Sequence, residues 1–286
     1  MPLPTDLVDL HIHTTASDGL YPPAETVRLA AEVPLAALAI TDHDTVAGLP
    51  EAAAAARRHN IELLTGVEVS VEFPLGTMHI LGYGFDPDHP DLRAALQQYQ
   101  RNRDERNPRI LARLAQMGMS IPYAAVRAKA AGESVGRPHI AQCLVEAGFA
   151  RTSDEVFKRF LGRGAPAYVE RRRASATDAI RAIRSAGGLA ALAHPGQLRR
   201  PYDEVRRIAA DLQSVGLEAL EVYHPDHCLE HVRAYESIAR DLGLILVGGT
   251  DFHGHLRQTV RIGVGRGPLR VPYQAVLQIR QRLAAR

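Results

Sequence analysis

Short apolar segments that alternate with longer helical patterns are the feature that most limits how this chain can fold. Seven such segments have the length of buried strands, at residues 7–12, 35–40, 61–67, 77–83, 189–193, 217–222 and 244–247. Helical patterns follow several of them, at residues 23–31, 50–59, 203–215 and 231–242. This alternation predicts an α/β fold with a parallel sheet, closed or doubly wound, and functional side chains at the carboxyl ends of the strands.

One long region interrupts the alternation. Between residues 86 and 170 the pattern is helical only, and Gly and Pro divide it into segments. We interpret this region as an inserted helical cap that recognises the substrate. The main domain is therefore predicted to consist of residues 1–85 and 171–286.

Composition excludes several classes of protein. The formal charge of +2 over 286 residues does not indicate a protein that coats nucleic acid. No apolar run reaches the roughly 18 residues of a membrane-spanning helix, so no membrane association is expected. Cys143 and Cys228 stand far apart without a CxxC spacing, and the first residues lack the pattern of a secretory signal. These features predict a cytoplasmic protein.

Histidine placement is the strongest functional signal. Seven of the 13 histidines stand in or just after a predicted strand, namely His11, His13, His43, His79, His194, His224 and His253. A lone histidine in a strand is usually a hydrogen-bonded residue of the core or rim. Seven of them converging on one end of a sheet instead favour a metal site.

The segment "DLHIHTTASDG" begins the series. Because side chains of a strand alternate between faces, Asp9, His11 and His13 are predicted to share one face, and Leu10 and Ile12 the other. Two neighbouring imidazoles can hold one divalent ion at about 2.0–2.2 Å. Asp18 follows in the same segment, where it is either a further ligand or a residue of the turn.

Further candidate ligands follow the later strands. They are His43 in "ITDHDT", Glu68 in "GVEVS", His79 in "GTMHILGYG", His194 in "AHPG", and Asp251 and His253 in "GGTDFHG". The two glycines before the last pair are expected to let the backbone turn tightly. Imidazoles and carboxylates without thiolates suit Zn, Mn or Fe in a hydrolytic site. The number of ligands exceeds what one ion needs, so we expect two or three ions that share a bridging carboxylate.

These motifs, in this order and spacing, closely resemble those of the polymerase and histidinol phosphatase (PHP) family. Within the family the chain is similar to a branch with a helical insert, which includes 3',5'-nucleoside bisphosphate phosphatases and 5'-3' exoribonucleases acting on short RNA. The resemblance implies a distorted seven-stranded β/α barrel with a site for three metal ions. Manganese is the first expectation, with zinc and iron as alternatives.

The resemblance also implies roles for individual residues. The implied ligands are His11, His13 and Asp251 for the first ion, Glu68 bridging the first and second, His79 and His194 for the second, and Asp18, His43 and His253 for the third. In "ESVGRPHIA" and "FKRFLGRGAPAYV", the residues implied to face a second phosphate of the substrate are Ser134, Arg137, His139 and Lys158. Ala165 departs from the family, since a basic residue is expected after "GRG".

The expected chemistry is an attack of water on phosphorus, because divalent ions lower the pKa of bound water and neutralise the phosphate oxygens. His194 and Asp251 belong to the implied catalytic set together with His224. His224 is a candidate to protonate the leaving alkoxide or to hold a phosphate oxygen, and it is equally a candidate for a supporting histidine behind the ligands.

The leading hypothesis is therefore a metal-dependent phosphatase that removes the 3'-phosphate of a nucleoside 3',5'-bisphosphate. Release of 5'-nucleotides from short 5'-phosphorylated RNA is a related activity, so the expected partners are small nucleotides or short single-stranded RNA. No obligate protein partner is evident. The alternatives are a histidinol-phosphate phosphatase, another small-molecule phosphatase, or a non-catalytic PHP module.

Overall fold

The structure is a computed structural model that describes residues 7–74, 78–130, 135–170, 174–254, 260–266 and 269–286. Within these ranges, the strands are β1 (Leu7–Ile12), β2 (Ala37–Ile40), β3 (Glu62–Val71), β4 (Met78–Tyr83), β5 (Leu189–Leu192), β6 (Leu217–Tyr223), β7 (Ile245–Gly248) and β8 (Val271–Pro272). The first seven confirm the predicted segments to within a few residues, although Thr77 lies outside the described residues. The short β8 was not predicted.

All these strands belong to one sheet with the order β7-β6-β5-β4-β3-β2-β1-β8. β1, β2 and β3 are parallel to one another, and so are β5, β6 and β7. The prediction of a parallel sheet is wrong for β4, which runs antiparallel to both β3 and β5. The physical reason is the connection between β3 and β4, since residues 72–77 are fewer than the roughly 12 that a parallel crossover needs.

The sheet closes into a distorted barrel where β1 meets the segment that follows β7. β8 pairs antiparallel with β1. Just beyond the end of β1, Ile12 forms a parallel bridge with Phe252, which follows β7. The backbone N–H of His13 donates to the carbonyl oxygen of Phe252 over 2.9 Å. The predicted β/α barrel is thereby confirmed, with one strand more than expected. The parallel strands all finish at one end of the barrel, and we call this end the mouth.

A β-bulge in β1 changes which side chains face inward. The register against β2 shifts between Asp9 and Ile12. Leu10 belongs to the core inside the barrel, whereas Ile12 belongs to the core between the sheet and the outer helices. The prediction that Leu10 and Ile12 share a face is therefore wrong, because a bulge adds one residue and interrupts the alternation.

Helices cover the barrel on its outside and at one end. They are α1 (Pro23–Ala31), α2 (Leu49–His59), α7 (Ala176–Ser185), α8 (Tyr202–Ser214), α9 (Leu229–Asp241) and α10 (Gln274–Ala284). The four predicted helices correspond to α1, α2, α8 and α9. α10 differs from the others because its residues Val276 and Ile279 pack into the inner core of the barrel.

Between β4 and α7, the described residues form helices and turns. These helices are α3 (Pro90–Gln116), α4 (Tyr123–Lys129), α5 (Arg137–Glu146) and α6 (Ser153–Val156), and a π-helical turn follows at Phe157–Leu161. α3 is shared by two cores: Leu92 packs in the outer core of the barrel, whereas Leu114 packs in a separate core built from the other helices. The boundaries of the helical cap at 86 and 170 stay a prediction. No helix among the described residues is long and apolar enough to span a bilayer.

Candidate metal centre

Every predicted metal ligand reaches the mouth of the barrel. Their positions are the end of β1 and the next loop (His11, His13, Asp18), the loop after β2 (His43), β3 (Glu68), β4 (His79), the loop after β5 (His194) and the loop after β7 (Asp251, His253). We call these residues the ligand cluster. Glu68 lies at its centre, since its carboxylate oxygens lie within 3.4 Å of nitrogens from five histidines.

The first group of ligand atoms comes from His11, His13, Glu68 and Asp251, and its atoms lie within 4.8 Å of one another. His13 Nε2 lies 3.2 Å from Glu68 Oε2 and 3.3 Å from Asp251 Oδ1. His11 Nε2 lies 3.4 Å from Glu68 Oε2. Ligands about 2.1 Å from a shared ion stand about 3.0–3.4 Å apart. These separations therefore fit a common metal ion.

The second group forms on the other side of the Glu68 carboxylate. His79 Nδ1 lies 2.6 Å and His194 Nε2 lies 2.8 Å from Glu68 Oε1. The two imidazole nitrogens are 3.3 Å apart. His43, which the resemblance assigned to the third ion, can also join Glu68 and His79 in one group of ligand atoms. Glu68 thus faces two groups, as expected of a bridging carboxylate.

The third group contains Asp18, His43 and His253. His253 Nε2 lies 3.3 Å from Asp18 Oδ1, and His43 Nε2 lies 3.9 Å from Asp18 Oδ2. His13 also falls within this group, with its Nδ1 3.7 Å from Asp18 Oδ1. His13 therefore lies between the first and third groups, which the sequence did not predict.

The donor atoms of the ligand cluster fit divalent metal ions. His11 Nε2, His13 Nε2 and Glu68 Oε2 are buried and make no hydrogen bond within the described part of the chain. Buried polar atoms without a partner are costly, so native proteins rarely keep them without a reason. Nitrogen and carboxylate donors are those that Zn, Mn and Fe accept. Divalent ions would satisfy these atoms.

Charges in the mouth favour ionised carboxylates. Burial alone would raise the pKa of Glu68, but the surrounding histidines, His79 foremost, hold it well below the usual range. Burial likewise opposes ionisation of Asp18 and Asp251, and His253 is the main neighbour that lowers the pKa of both. Burial lowers the pKa of His79 to about 4. The lowered pKa values of the carboxyl groups favour the charged carboxylate, and that of His79 favours the neutral imidazole; these are the forms that bind metal.

Three loops of the mouth contain a non-glycine residue with positive φ. Asp44, His194 and Asp251 have φ values of 55°, 22° and 49°. Such conformations are uncommon outside glycine and persist only where the surroundings enforce them. Their occurrence in three loops of one site indicates that the fold constrains the positions of the ligands.

The glycines before Asp251 serve a different purpose from the one expected. Neither Gly248 nor Gly249 has a positive φ. A Cβ atom on Gly249 would collide with the backbone nitrogen of His11, and one on Gly248 would collide with the carbonyl oxygen of Tyr223. The prediction of a tight turn is therefore wrong: these glycines allow β7 to approach its neighbours closely.

Sequence reasoning did not single out a set of buried carboxylates behind the ligand cluster. Asp9 accepts hydrogen bonds from the backbone N–H of Thr250 over 2.9 Å and from its hydroxyl over 2.6 Å. Asp42 accepts from the backbone N–H of Thr14 over 2.8 Å. Glu221 lies fully buried in β6. Two sequence features could have pointed to these carboxylates. Asp9 and Asp42 stand close to predicted ligands in the sequence, and Glu221 is an acidic residue within an apolar strand segment.

His224 lies beside the first group of ligands. It is buried, and its Nε2 is 3.5 Å from Asp251 Oδ2. Its Nδ1 accepts a hydrogen bond from the backbone N–H of Asp226 over 3.1 Å. A neutral imidazole that accepts at Nδ1 has its proton on Nε2. This ring therefore presents a proton donor toward the mouth.

A cavity of about 330 Å³ lies over the ligand cluster. Residues of the ligand cluster line one side. Residues of the helices between β4 and α7, which we call the cap, line the other, including Lys129, His139, Gln142 and Phe157. The cavity therefore lies between the barrel and the cap.

The residues predicted to bind substrate in the cap differ in their position relative to the cavity. His139 lines the cavity and caps α5, where its Nδ1 accepts from the backbone N–H of Gly136. The Arg137 guanidinium lies 5.5 Å from the ring of Phe157 and donates to the carbonyl oxygen of Leu161. Lys158 is exposed on the π-helical turn. Ser134 lies outside the described residues. Their contacts with a substrate stay a prediction.

Comparison with known proteins gives consistent matches over the chain. Residues 9–132 match the model of the PHP domain. The 3',5'-nucleoside bisphosphate phosphatase of Chromobacterium violaceum is 39% identical over 86% of this chain and 87% of that protein. A 5'-3' exoribonuclease of Haemophilus influenzae is 36% identical over 87% of this chain and 90% of that protein.

Solved structures agree with these matches. An amidohydrolase from Chromobacterium violaceum with bound sulfate has a TM-score of 0.85 and 35% identity to this chain. The likeness covers 97% of this chain and 96% of that one. The barrel and the helical region are therefore both present in a solved fold.

Proposed function

Because the chain belongs to the PHP domain family, we propose that it is a metal-dependent phosphoesterase that removes the 3'-phosphate of nucleoside 3',5'-bisphosphates. One observation carries the proposal: the ligand cluster brings nitrogen and oxygen donors from distant parts of the chain into three overlapping groups under one cavity. The substrate class comes from the similarity to the bisphosphate phosphatase.

The ligand cluster would hold up to three divalent ions. His11, His13 and Asp251 are assigned to the first ion, His79 and His194 to the second, and Glu68 to both. Asp18, His43 and His253 are assigned to the third. Bound ions would lower the pKa of water and offset the charge of the phosphate oxygens. Manganese is our first choice, and the same donors accept zinc and iron.

Residues of the chain supply the remaining chemistry. His224 presents a protonated Nε2 toward Asp251 and is assigned the transfer of a proton to the leaving 3'-oxygen. The alternative role, in which the same N–H holds a phosphate oxygen, uses the same geometry. His194 and Asp251 complete the catalytic set as ligands next to the reacting phosphate.

The helical cap is assigned the recognition of the 5'-phosphate. His139 lines the cavity directly. Arg137 and Lys158 add positive charge in the neighbouring elements, and Ser134 is assigned to the same contact by resemblance. Ala165 supplies no charge at a position where the family has a basic residue. We therefore expect phosphate binding at this side to depend mainly on Arg137 and Lys158.

Removal of 5'-nucleotides from short RNA is a second candidate activity. The similarity to the exoribonuclease of Haemophilus influenzae extends over most of both chains, so it includes the barrel and the cap. A cap that binds a 5'-phosphate suits both substrates. A cytoplasmic location, with Cys143 and Cys228 as free thiols, is part of the same proposal.

A phosphate-release assay tests the proposal. With manganese added, the chain should release orthophosphate from adenosine 3',5'-bisphosphate, and a 5'-phosphorylated oligoribonucleotide in parallel should reveal any stepwise release of 5'-nucleotides. Exhaustive chelation should abolish both reactions. Inertness toward both substrates, with histidinol phosphate hydrolysed instead, would overturn the assignment. Failure to retain any metal at neutral pH would point to a non-catalytic PHP module.

A further inference from the structure

Glu221 is a buried acid that neither the ligand cluster nor the proposed chemistry uses. It lies in β6 and has no exposed surface. Its Oε1 is 2.8 Å from His11 Nδ1. Its Oε2 accepts a hydrogen bond from the backbone N–H of His194 over 2.6 Å. One carboxylate therefore contacts two predicted ligands that are far apart in the sequence.

We propose that Glu221 is a positioning residue that holds His11 and His194 in the arrangement that binds metal. It orients the ring of His11 through a hydrogen bond to Nδ1 and fixes the backbone of the His194 loop. This role rests on the proposed function, since it concerns two of the ligands which that function needs.

The contact with His11 determines which ring nitrogen faces the ions. When Nδ1 donates its proton to Glu221, the neutral ring has its lone pair on Nε2. His11 Nε2 lies 3.4 Å from Glu68 Oε2 and 3.5 Å from Asp251 Oδ1, so it points into the first ligand group. A carboxylate behind a ligating histidine fixes the tautomer and the ring orientation.

The contact with His194 restrains an unusual backbone. His194 has φ 22° and ψ 65°, a conformation that a residue with a side chain rarely adopts. Its N–H is held by Glu221, and two residues later the N–H of Gly196 donates to His227 Nε2 over 3.3 Å. These bonds fix the loop that places His194 Nε2 2.8 Å from Glu68 Oε1.

A glutamine at position 221 would separate this role from general packing. Glutamine has nearly the same shape as glutamate, but its side chain has one oxygen in place of two. It can accept from His11 or from the His194 N–H, and its NH₂ group then faces the other donor. Glu221→Gln therefore leaves the volume of the core unchanged and breaks one of the two contacts.

Manganese titration tests the role. Free Mn²⁺ is followed by electron paramagnetic resonance while metal-free protein is titrated, and folding is checked by circular dichroism. Glu221→Gln should weaken manganese binding about 10–100-fold, the range for loss of a partner behind a metal ligand. Glu218→Gln is the matched control, since Glu218 lies in the same strand and pairs with Arg286. Its manganese affinity should stay within about twofold of the unsubstituted chain.

Repeating the substitution in a His11→Ala variant distinguishes a positioning role of Glu221 from a general loss of stability. With His11→Ala already present, Glu221→Gln should weaken manganese binding less than it does alone, because one of its two targets is gone. Equal weakening in both backgrounds would overturn the role at His11. Manganese affinity of Glu221→Gln equal to that of the unsubstituted chain would overturn the inference altogether. Absence of manganese binding by the unsubstituted chain would overturn the proposed function instead.

A measurement on the unsubstituted chain covers the case in which Glu221→Gln does not fold. In zinc-loaded protein with ¹⁵N-labelled histidine, nuclear magnetic resonance identifies which ring nitrogen has the proton. His11, assigned by the loss of its signal in His11→Gln, should have its proton on Nδ1. A proton on Nε2 of His11 would overturn the inference.

Discussion

The two sides of the cavity differ in how firmly the sequence determines them. On the barrel side, every predicted metal ligand reaches the mouth of the barrel. On the cap side, His139 lines the cavity, whereas Arg137 stacks between aromatic rings and Lys158 is exposed. Both sides were assigned by the same family resemblance, so the difference comes from the secondary structure that positions the residues on each side.

Parallel strands explain why the candidate ligands come together on the barrel side. Their carboxyl ends meet at one end of a barrel, so a residue just after a strand is placed near the residues that follow every other strand. Helices in a cap have no such shared end. Which face of α5 or of the π-helical turn meets the cavity depends on packing that sequence patterns do not specify.

The largest expected effect is the loss of the carboxylate at the centre of the ligand cluster. Glu68→Gln removes a charge that faces two groups of ligands, and we expect kcat/KM for the bisphosphate to fall by about 10³-fold, or about 4 kcal/mol. Metal content measured after dialysis should fall with it. Steady-state phosphate release and metal analysis check this prediction.

The matched control is another glutamate of the same strand. Glu62 lies in β3, where it accepts from the hydroxyl of Tyr273 and pairs with Arg280, far from the ligand cluster. Glu62→Gln should leave kcat/KM within about twofold, because a partly exposed ion pair far from the ligand cluster contributes little to activity. Equal losses in Glu62→Gln and Glu68→Gln would show that damage to β3, and not loss of a ligand, reduces activity.

His79 shows how much of the barrel side followed from sequence and what did not. It was predicted as a ligand, although it lies at the beginning of β4 and not at its end. Because β4 is antiparallel, its beginning lies at the mouth, where His79 pairs with Ser70 across the strands. The short connection before β4 and the lack of a helix there were visible in the sequence and predict this direction.

Other features depend on contacts between residues far apart in the chain. The bulge in β1 and the close approach of Gly249 to His11 follow from how β7 meets β1, which no local pattern encodes. The same holds for Asp9, whose partners Thr250 and Gly263 are more than two hundred residues away. Sequence reasoning therefore predicts the candidate ligands but not the residues that lie behind them.

The next largest expected effect is a loss of folding free energy on substitution in the cap core, and it tests whether this core is independent of the barrel. Leu114 is fully buried in the cap core, and Leu114→Ala should cost about 3 kcal/mol of folding free energy. Since the ligand cluster belongs to the barrel, manganese binding should persist while bisphosphate hydrolysis falls. Thermal unfolding and manganese titration measure the two effects.

A barrel substitution provides the contrast. Leu38 is equally buried, in the outer core of the barrel, and Leu38→Ala should cost a similar amount. Here manganese binding should weaken as well, because β2 supports the loop of His43. If Leu114→Ala impaired manganese binding as much as Leu38→Ala, the cap and the barrel would not be separable.

Removal of metal should lower the free energy of unfolding by slightly less than the two core substitutions do. A ligand at 100 times its dissociation constant stabilises the native state by about 2.7 kcal/mol. For a chain of this size we expect manganese to raise the midpoint of thermal unfolding by about 4–5 °C. Glu68→Gln should show much less of this increase. An equal increase in that variant would place the bound metal outside the ligand cluster.

The smallest expected effect tests the cap side directly. Lys158→Met removes a charge but keeps a long side chain, and it should raise KM for adenosine 3',5'-bisphosphate about 10-fold, or about 1.4 kcal/mol, if Lys158 binds the second phosphate. KM for adenosine 3'-monophosphate, which lacks that phosphate, should change little. Arg159→Met is the control, because Arg159 is also exposed and pairs with Glu155. Equal changes for both substrates would show that Lys158 acts only through the overall charge of the cap, and the cap side would then depend on His139 and Arg137.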